Sequence, residues 1–207
     1  MSGKLLLNII IDNSASLKGE KGEKLIGALN EFDNKIKDNK LNDVILYSLT
    51  INKGFTSLVI KNFNDALDLK KISISGLPFI NSSIMIGVKN LEKEINNLNA
   101  NGQLYKPWTI IMLDGENYDN LDESINLLLN VLKAGKMSYF PFALSYNEFD
   151  KSLNTLKKIK QFSIVKDCMY SNMFNWIFEF ARKRVSTPIE QPLSLDPKSF
   201  EGWTIKW

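Results

Sequence analysis

Asp12, Ser14 and Ser16 occupy alternate positions of the stretch IIIDNSAS, directly after a run of Leu and Ile, and Asp114 follows a second apolar run, WTIIML. In an extended loop side chains alternate with period two, so Asp12, Ser14 and Ser16 turn to one side. Carboxylate and hydroxyl oxygens without His or Cys suit a hard divalent cation, Mg2+, with Mn2+ or Ca2+ as alternatives. Two carboxylates delivered to one edge repel unless a cation or a basic group sits between them. Simpler readings exist for each part alone. Asp12 and Ser14 are good caps for a following helix, and Asp114-Gly115 is an ordinary turn pair.

The periodicity of the chain says what could bring these residues together. Residues 5–11 and 108–113 are nearly continuous apolar runs, the pattern of central strands covered on both faces. Residues 44–51 and 57–60 read as two strands around the turn-rich Asn52-Lys53-Gly54 and suggest a hairpin. Further strands are expected at 136–144, where Pro141 points to a bulge or an edge, and at 162–165. Helical spacing of apolar residues covers 22–36, 84–98, 124–132, 149–159 and 173–184, with Asn81 or Ser82 as the expected N-cap of the second of these. Residues 65–77 are ambiguous and are broken by Gly76-Leu77-Pro78. Strands alternating with helices imply an α/β fold: a doubly wound, mostly parallel central sheet with one antiparallel edge hairpin and helices on both faces. In such sheets ligands bind outside the carboxyl ends of the strands, where Asp12 and Asp114 fall.

Composition narrows the function classes. The 207 residues are 44% hydrophobic and 24% charged with a net charge of +3, ordinary values for a globular chain. One domain over 1–185 is expected, followed by a tail, 186–207, whose Leu193, Leu195, Phe200, Trp203, Ile205 and Trp207 should pack back on it. The lysines are interspersed with acids or form short clusters, the pattern of a solvated surface rather than of a nucleic-acid reader. Histidine is absent, which excludes Ser-His-Asp and Cys-His catalysis and most zinc sites. Cys168 stands alone, so it cannot form an intramolecular disulfide, and it is expected to be a small buried apolar residue. No apolar run approaches the roughly 18 residues of a membrane span, and no signal peptide is visible, so a cytoplasmic protein with no membrane partner is expected. Trp108, Phe140, Phe142 and Trp176 sit inside the periodic elements and are assigned to the core.

The motifs together resemble a known family. DNSAS matches the Asp-x-Ser-x-Ser signature of von Willebrand factor A (VWA) domains, the opening of their metal-ion-dependent adhesion site, and IIMLDGENYD resembles the family's later strand with its Asp-Gly. YKPWTIIMLDGENYD (105–119), YFPFAL (139–144) and MFNWI (173–177) are similar to the bacterial tellurium-resistance-associated VWA proteins, and the likeness runs from about residue 4 to 184. The resemblance implies the metal ligands Asp12, Ser14, Ser16 and Asp114. The family's Gly-Gly-Thr loop has no exact counterpart here; Ser82 takes its place, because Ile84, Val88 and Leu91 then fall on the family's apolar helix positions, with Ser83 as the rival. It further implies an intracellular protein-interaction module in which a partner's Glu or Asp completes the coordination of the metal. Its setting would be a stress-resistance or phage-defence system with kinase or phosphatase partners. A metal-dependent phosphoester hydrolase and a scaffold with a degenerate metal site are the alternative functions.

Overall fold

The computed structural model describes residues 3–13, 15–53, 56–74, 79–114, 120–133, 137–144, 163–166, 168–188, 190–191, 193 and 203–205. Ser14, Gly115, the break at 76–78 and the helix expected over 149–159 lie outside them. Among the described residues seven strands form one sheet: β1 (Lys4–Ile11), β2 (Ile45–Lys53), β3 (Thr56–Lys61), β4 (Tyr105–Leu113), β5 (Ser138–Ala143), β6 (Ser163–Val165) and β7 (Trp203–Ile205). Their order across the sheet is β3-β2-β1-β4-β5-β6-β7. The inner pairs, β1 with β2 and β4, β4 with β5 and β5 with β6, are parallel. The expected β2–β3 hairpin is antiparallel, but Asn52 and Lys53, read as turn residues, belong to β2 and pair with Ser57 and Thr56. A second antiparallel pair, β6 with β7, closes the other edge. The expected edge hairpin is thus present, and the β6–β7 pair is an addition to it that a three-residue strand, carrying no periodic signal, did not announce.

Four helices cover the sheet among the described residues: α1 (Glu20–Asp38), α2 (Asn81–Ala100), α3 (Asp122–Lys133) and α4 (Tyr170–Val185). Leu5, Leu7, Ile9 and Ile11 of β1 share a core with α1 and α4, whereas Leu6 and Ile10 share one with α2 and α3. Alternate side chains thus enter opposite cores, so β1 must be apolar at nearly every position. Each Leu or Ile so buried stabilises the fold by about 1.5–3 kcal/mol.

The exception within β1 is Asn8, fully buried and level with Ser48 of β2 and Thr109 of β4. Ser48 Oγ donates to Asn8 Oδ1 at 3.2 Å, and Asn8 Nδ2 donates to Thr109 Oγ1 at 3.3 Å. The polar atoms satisfy one another across three strands, which is what makes their burial tolerable. Gly87 brings α2 down onto this row: a Cβ there would lie 2.9 Å from Ile10 Cδ1 and 3.0 Å from Asn8 Oδ1.

The aromatic residues largely behave as the periodicity implies. Trp108 and Phe142 are buried, while Phe140 and Trp176 are half-buried against the same core. Trp108 stacks on Phe180 at 4.8 Å between ring centroids, and Phe180 on Trp176 at 5.4 Å, fastening α4 to β4. Pro141 lies opposite Ile111 of β4, and among the described residues β6 pairs with Phe142 and Ala143 of the same strand. Arg184, buried at the end of α4, donates to the carbonyls of Thr187, Pro188 and Gln191 and pins the start of the tail.

Two local expectations are corrected and an ambiguous segment is resolved in part. The N-cap of α2 is Ile80, which makes no side-chain cap bond. Asn81 Oδ1 instead accepts from the N–H of Ser124 at 3.3 Å and so serves the start of α3. Cys168 is partly exposed rather than buried, with a left-handed φ of 56°. Among the described residues of 65–77, a 3-10 turn (Leu69–Lys71) follows Asp68, whose carboxylate accepts from the N–H of Lys70.

At the amino-terminal edge of β1 and β2 a cavity of about 570 Å³ is lined in part by Lys4, Asp33, Tyr47 and Lys61. Lys61 is buried, lies 4.3 Å from the centroid of the Tyr47 ring, and donates to the carbonyls of Asn62, Phe63 and Asp65. Burial lowers its pKa from 10.5 to about 8. Burial also pushes the hydroxyls of Tyr47, Tyr139 and Tyr170 well above their ordinary value.

Two outcomes follow from these contacts. Helix propensity favours Gly87→Ala by about 1 kcal/mol, but overpacking against Ile10 and Asn8 costs about 1–3 kcal/mol. Chemical denaturation should therefore show net destabilisation, larger still for Gly87→Val; a stabilised Gly87→Ala would refute the close approach. For Lys61 the unfolded chain binds the extra proton between about pH 8 and 10.5, so stability rises with pH through that window. The tyrosines act oppositely: their stabilisation is complete below pH 10 and is lost above it, where the unfolded side chains ionise first. The urea midpoint of the native protein should rise from pH 7.5 to 9.5 and that of Lys61→Met should not; parallel profiles would contradict the assignment.

Candidate functional site

The order β3-β2-β1-β4-β5-β6 reverses direction between β1 and β4, since the chain winds outward from β1 to one side and from β4 to the other. Such a switch point opens a crevice at the carboxyl ends of the strands. Asp12 follows β1 and Asp114 follows β4. Ile11 is level with Met112, and the N–H of Asp12 donates to the Met112 carbonyl at 2.8 Å, so the pairing continues to the first residue of the loop. With neighbouring strands about 4.8 Å apart, the two aspartates open adjacent loops. Both are almost wholly inaccessible, 0% for Asp12 and 1% for Asp114. A buried carboxylate needs a compensating charge or donors, and two in adjacent loops need more.

The helix-cap reading of Asp12 does not hold for α1, whose N-cap is Gly19 with no side-chain cap bond. Ser16 belongs to a 3-10 turn (Ala15–Leu17), is exposed, and donates from Oγ to the Asp114 carbonyl at 3.3 Å. This bond ties the β1 loop to the β4 loop. Asp12, Ser16 and Asp114 are thus brought to one edge, and Ser14 lies outside the described residues.

Ser82 and Ser83 stand in the first turn of α2, Ser82 half-buried and Ser83 fully buried. Ser82 Oγ is 2.7 Å and Ser83 Oγ 2.9 Å from Ser57 Oγ of β3. Ser57 is level with Asn52 of β2, whose Oδ1 accepts the N–H of Asn13. A chain of polar contacts therefore runs from the residue after Asp12, through the β2–β3 hairpin, to the start of α2. Asn13 also donates from Nδ2 to the Ser73 carbonyl at 2.6 Å, fixing the segment before α2. Gly22 allows that segment to lie close: a Cβ there would sit 1.8 Å from Ile74 Cδ1 and 2.5 Å from the Leu17 carbonyl.

The sequence reading missed Asn13, Asn52 and Ser57. A partial signal existed for Asn52: with Ser48 and Thr50 it forms a period-two polar set alternating with Tyr47, Leu49 and Ile51, and all three are fully buried. Ser57 gave none, since a hydroxyl on a short edge strand is ordinary.

Among the described residues no group of three or more His, Cys, Asp or Glu side chains could hold a metal ion. A cation at this edge would be held by two carboxylates supplemented by hydroxyls. That all-oxygen donor set fits Mg2+, and it does not fit softer, nitrogen- or sulfur-seeking metals.

No family model and no curated protein matches the chain. Two structures of proximal thread matrix protein 1 from the mussel byssus are similar to it. One has a TM-score of 0.58 at 11% identity over 86% of this chain and 48% of the mussel chain. The other has a TM-score of 0.54 at 11% identity, over 87% and 47%. The open conformation of the pilus adhesin SpaC from Lactobacillus rhamnosus GG gives a TM-score of 0.61 at 7% identity, over 89% of this chain and 30% of the adhesin. The chain thus spans about half the length of the mussel protein and under a third of the adhesin. At these identities the likeness is one of fold, and the fold is VWA/Rossmann-like α/β.

The Asn13–Asn52 contact supplies a test of the site's framework. Asn52→Ala deprives the buried Asn13 N–H of an acceptor, which should cost about 1–3 kcal/mol. The loss is read from urea denaturation, and an unchanged midpoint would show that the contact does not hold the loop.

Proposed function

We propose that this chain is a VWA-type protein-interaction module that binds a partner's carboxylate through a divalent cation, Mg2+ in the first place. The observation that supports this reading best is the pair of buried aspartates opening adjacent loops at the switch point of the sheet. Asp12 and Asp114 supply the negative charge, and Ser14, Ser16 and Ser82 supply neutral hydroxyls. A hard cation bound there would offer a remaining coordination position to an acidic side chain. Exchange of bound water for a carboxylate makes a charge-assisted contact, favourable but reversible. Binding rather than turnover is proposed, because the chain has no histidine to act as a base.

The cellular setting rests on the sequence resemblance: a cytoplasmic stress-resistance (tellurium) or phage-defence system in which a kinase or phosphatase is the partner. No helix among the described residues is long and apolar enough to cross a membrane.

A ligand that binds only the folded state raises stability by about 2.7 kcal/mol at a hundredfold excess over its Kd. At roughly 2–4 °C per kcal/mol for a chain of this size, saturating Mg2+ should raise the melting temperature by roughly 5–10 °C. EDTA should reverse the shift, and Asp12→Ala should abolish both the shift and capture of the partner. A melting temperature indifferent to Mg2+, Mn2+ and Ca2+ would overturn the reading.

A further inference from the structure

Ser57 Oγ lies between two hydroxyls of the first turn of α2, 2.7 Å from Ser82 and 2.9 Å from Ser83. The two serines differ in their surroundings, since Ser82 is half-buried and Ser83 fully buried. A hydroxyl has one proton and two lone pairs. One that gives a lone pair to a cation must turn its proton elsewhere, and the cation strengthens the bond which that proton makes. Ser57 Oγ is in place to accept from Ser82 and to donate in turn to Ser83. Ser57 is itself held in place: it is level with Asn52, which holds the amide of Asn13 next to Asp12.

We propose that Ser57, on the β2–β3 hairpin, is the positioning residue of the cation site, with Ser82 facing the cation and Ser83 acting as the buried anchor behind it. This inference rests on the cation reading above. It means that the hairpin at the sheet edge, and not α2 alone, sets the third corner of the site. In the place of a Gly-Gly-Thr loop the chain uses a serine pair oriented from a neighbouring strand.

The test is Mg2+ binding by titration calorimetry, with the melting temperature of the metal-free protein measured alongside. Ser57→Ala should weaken Mg2+ binding by about 10-fold or more, the usual effect of removing a group that orients a ligand. Ser57→Thr keeps the hydroxyl and should bind close to the native level, whereas its isostere Ser57→Val should not. In a Ser82→Ala background Ser57→Ala should cost no further affinity, because the residue being oriented is gone. A purely structural role predicts the reverse: lower metal-free melting temperatures, with unchanged Mg2+ affinity or equal losses in both backgrounds. Native affinity in Ser57→Ala or in Ser57→Val overturns this inference and leaves the cation reading standing. Failure of the native protein to bind Mg2+ overturns both.

Discussion

Two carboxylates buried at the start of adjacent loops, at 0% and 1% accessibility, are the constraint around which the carboxyl edge of this sheet is built. A carboxylate is expensive to remove from water, and a second one nearby adds repulsion, so the fold must supply something in return. Parallel pairing of β1 with β4 fixes where the two loops begin. The bond from Ser16 to the Asp114 carbonyl and the hold of Asn52 on Asn13 fix how they leave the sheet. The cores on both faces of β1 make that strand immovable, so the geometry at its end is inherited from packing far from the edge.

The polar row of Ser48, Asn8 and Thr109 serves the same end from below. Asn8 interrupts the apolar run of β1 from Leu5 to Ile11, and Gly87 lets α2 settle directly on it. The depth of α2 then places its first turn, and with it Ser82 and Ser83, at the height of the β2–β3 hairpin. Close helix-to-sheet packing in the interior and hydroxyl placement at the edge are thus two consequences of one approach.

Much of this was legible in the sequence because the governing forces are local or periodic. The unbroken run of β1 signals burial on both faces, and an aspartate ending each of two such runs signals a shared edge once the sheet is read as parallel. Asn81 shows where local rules stop: its preference for capping is real, but a tertiary contact claims it for Ser124 of α3. The pairing of β7 with β6 is likewise set by a neighbour distant in sequence. Ser57 was illegible for the same reason, since its partners lie 25 and 26 residues on and no pattern announces them.

The central claim is that Asp12 and Asp114 share one cation, and an anomalous difference map from a crystal soaked in Mn2+ tests it most directly. The account predicts a single strong peak at the carboxyl ends of β1 and β4, about 2.0–2.6 Å from the ligating oxygens, with the hydroxyl of Ser82 turned toward it. Density elsewhere on the molecule, or a map with no peak between the two aspartates at saturating Mn2+, would contradict it.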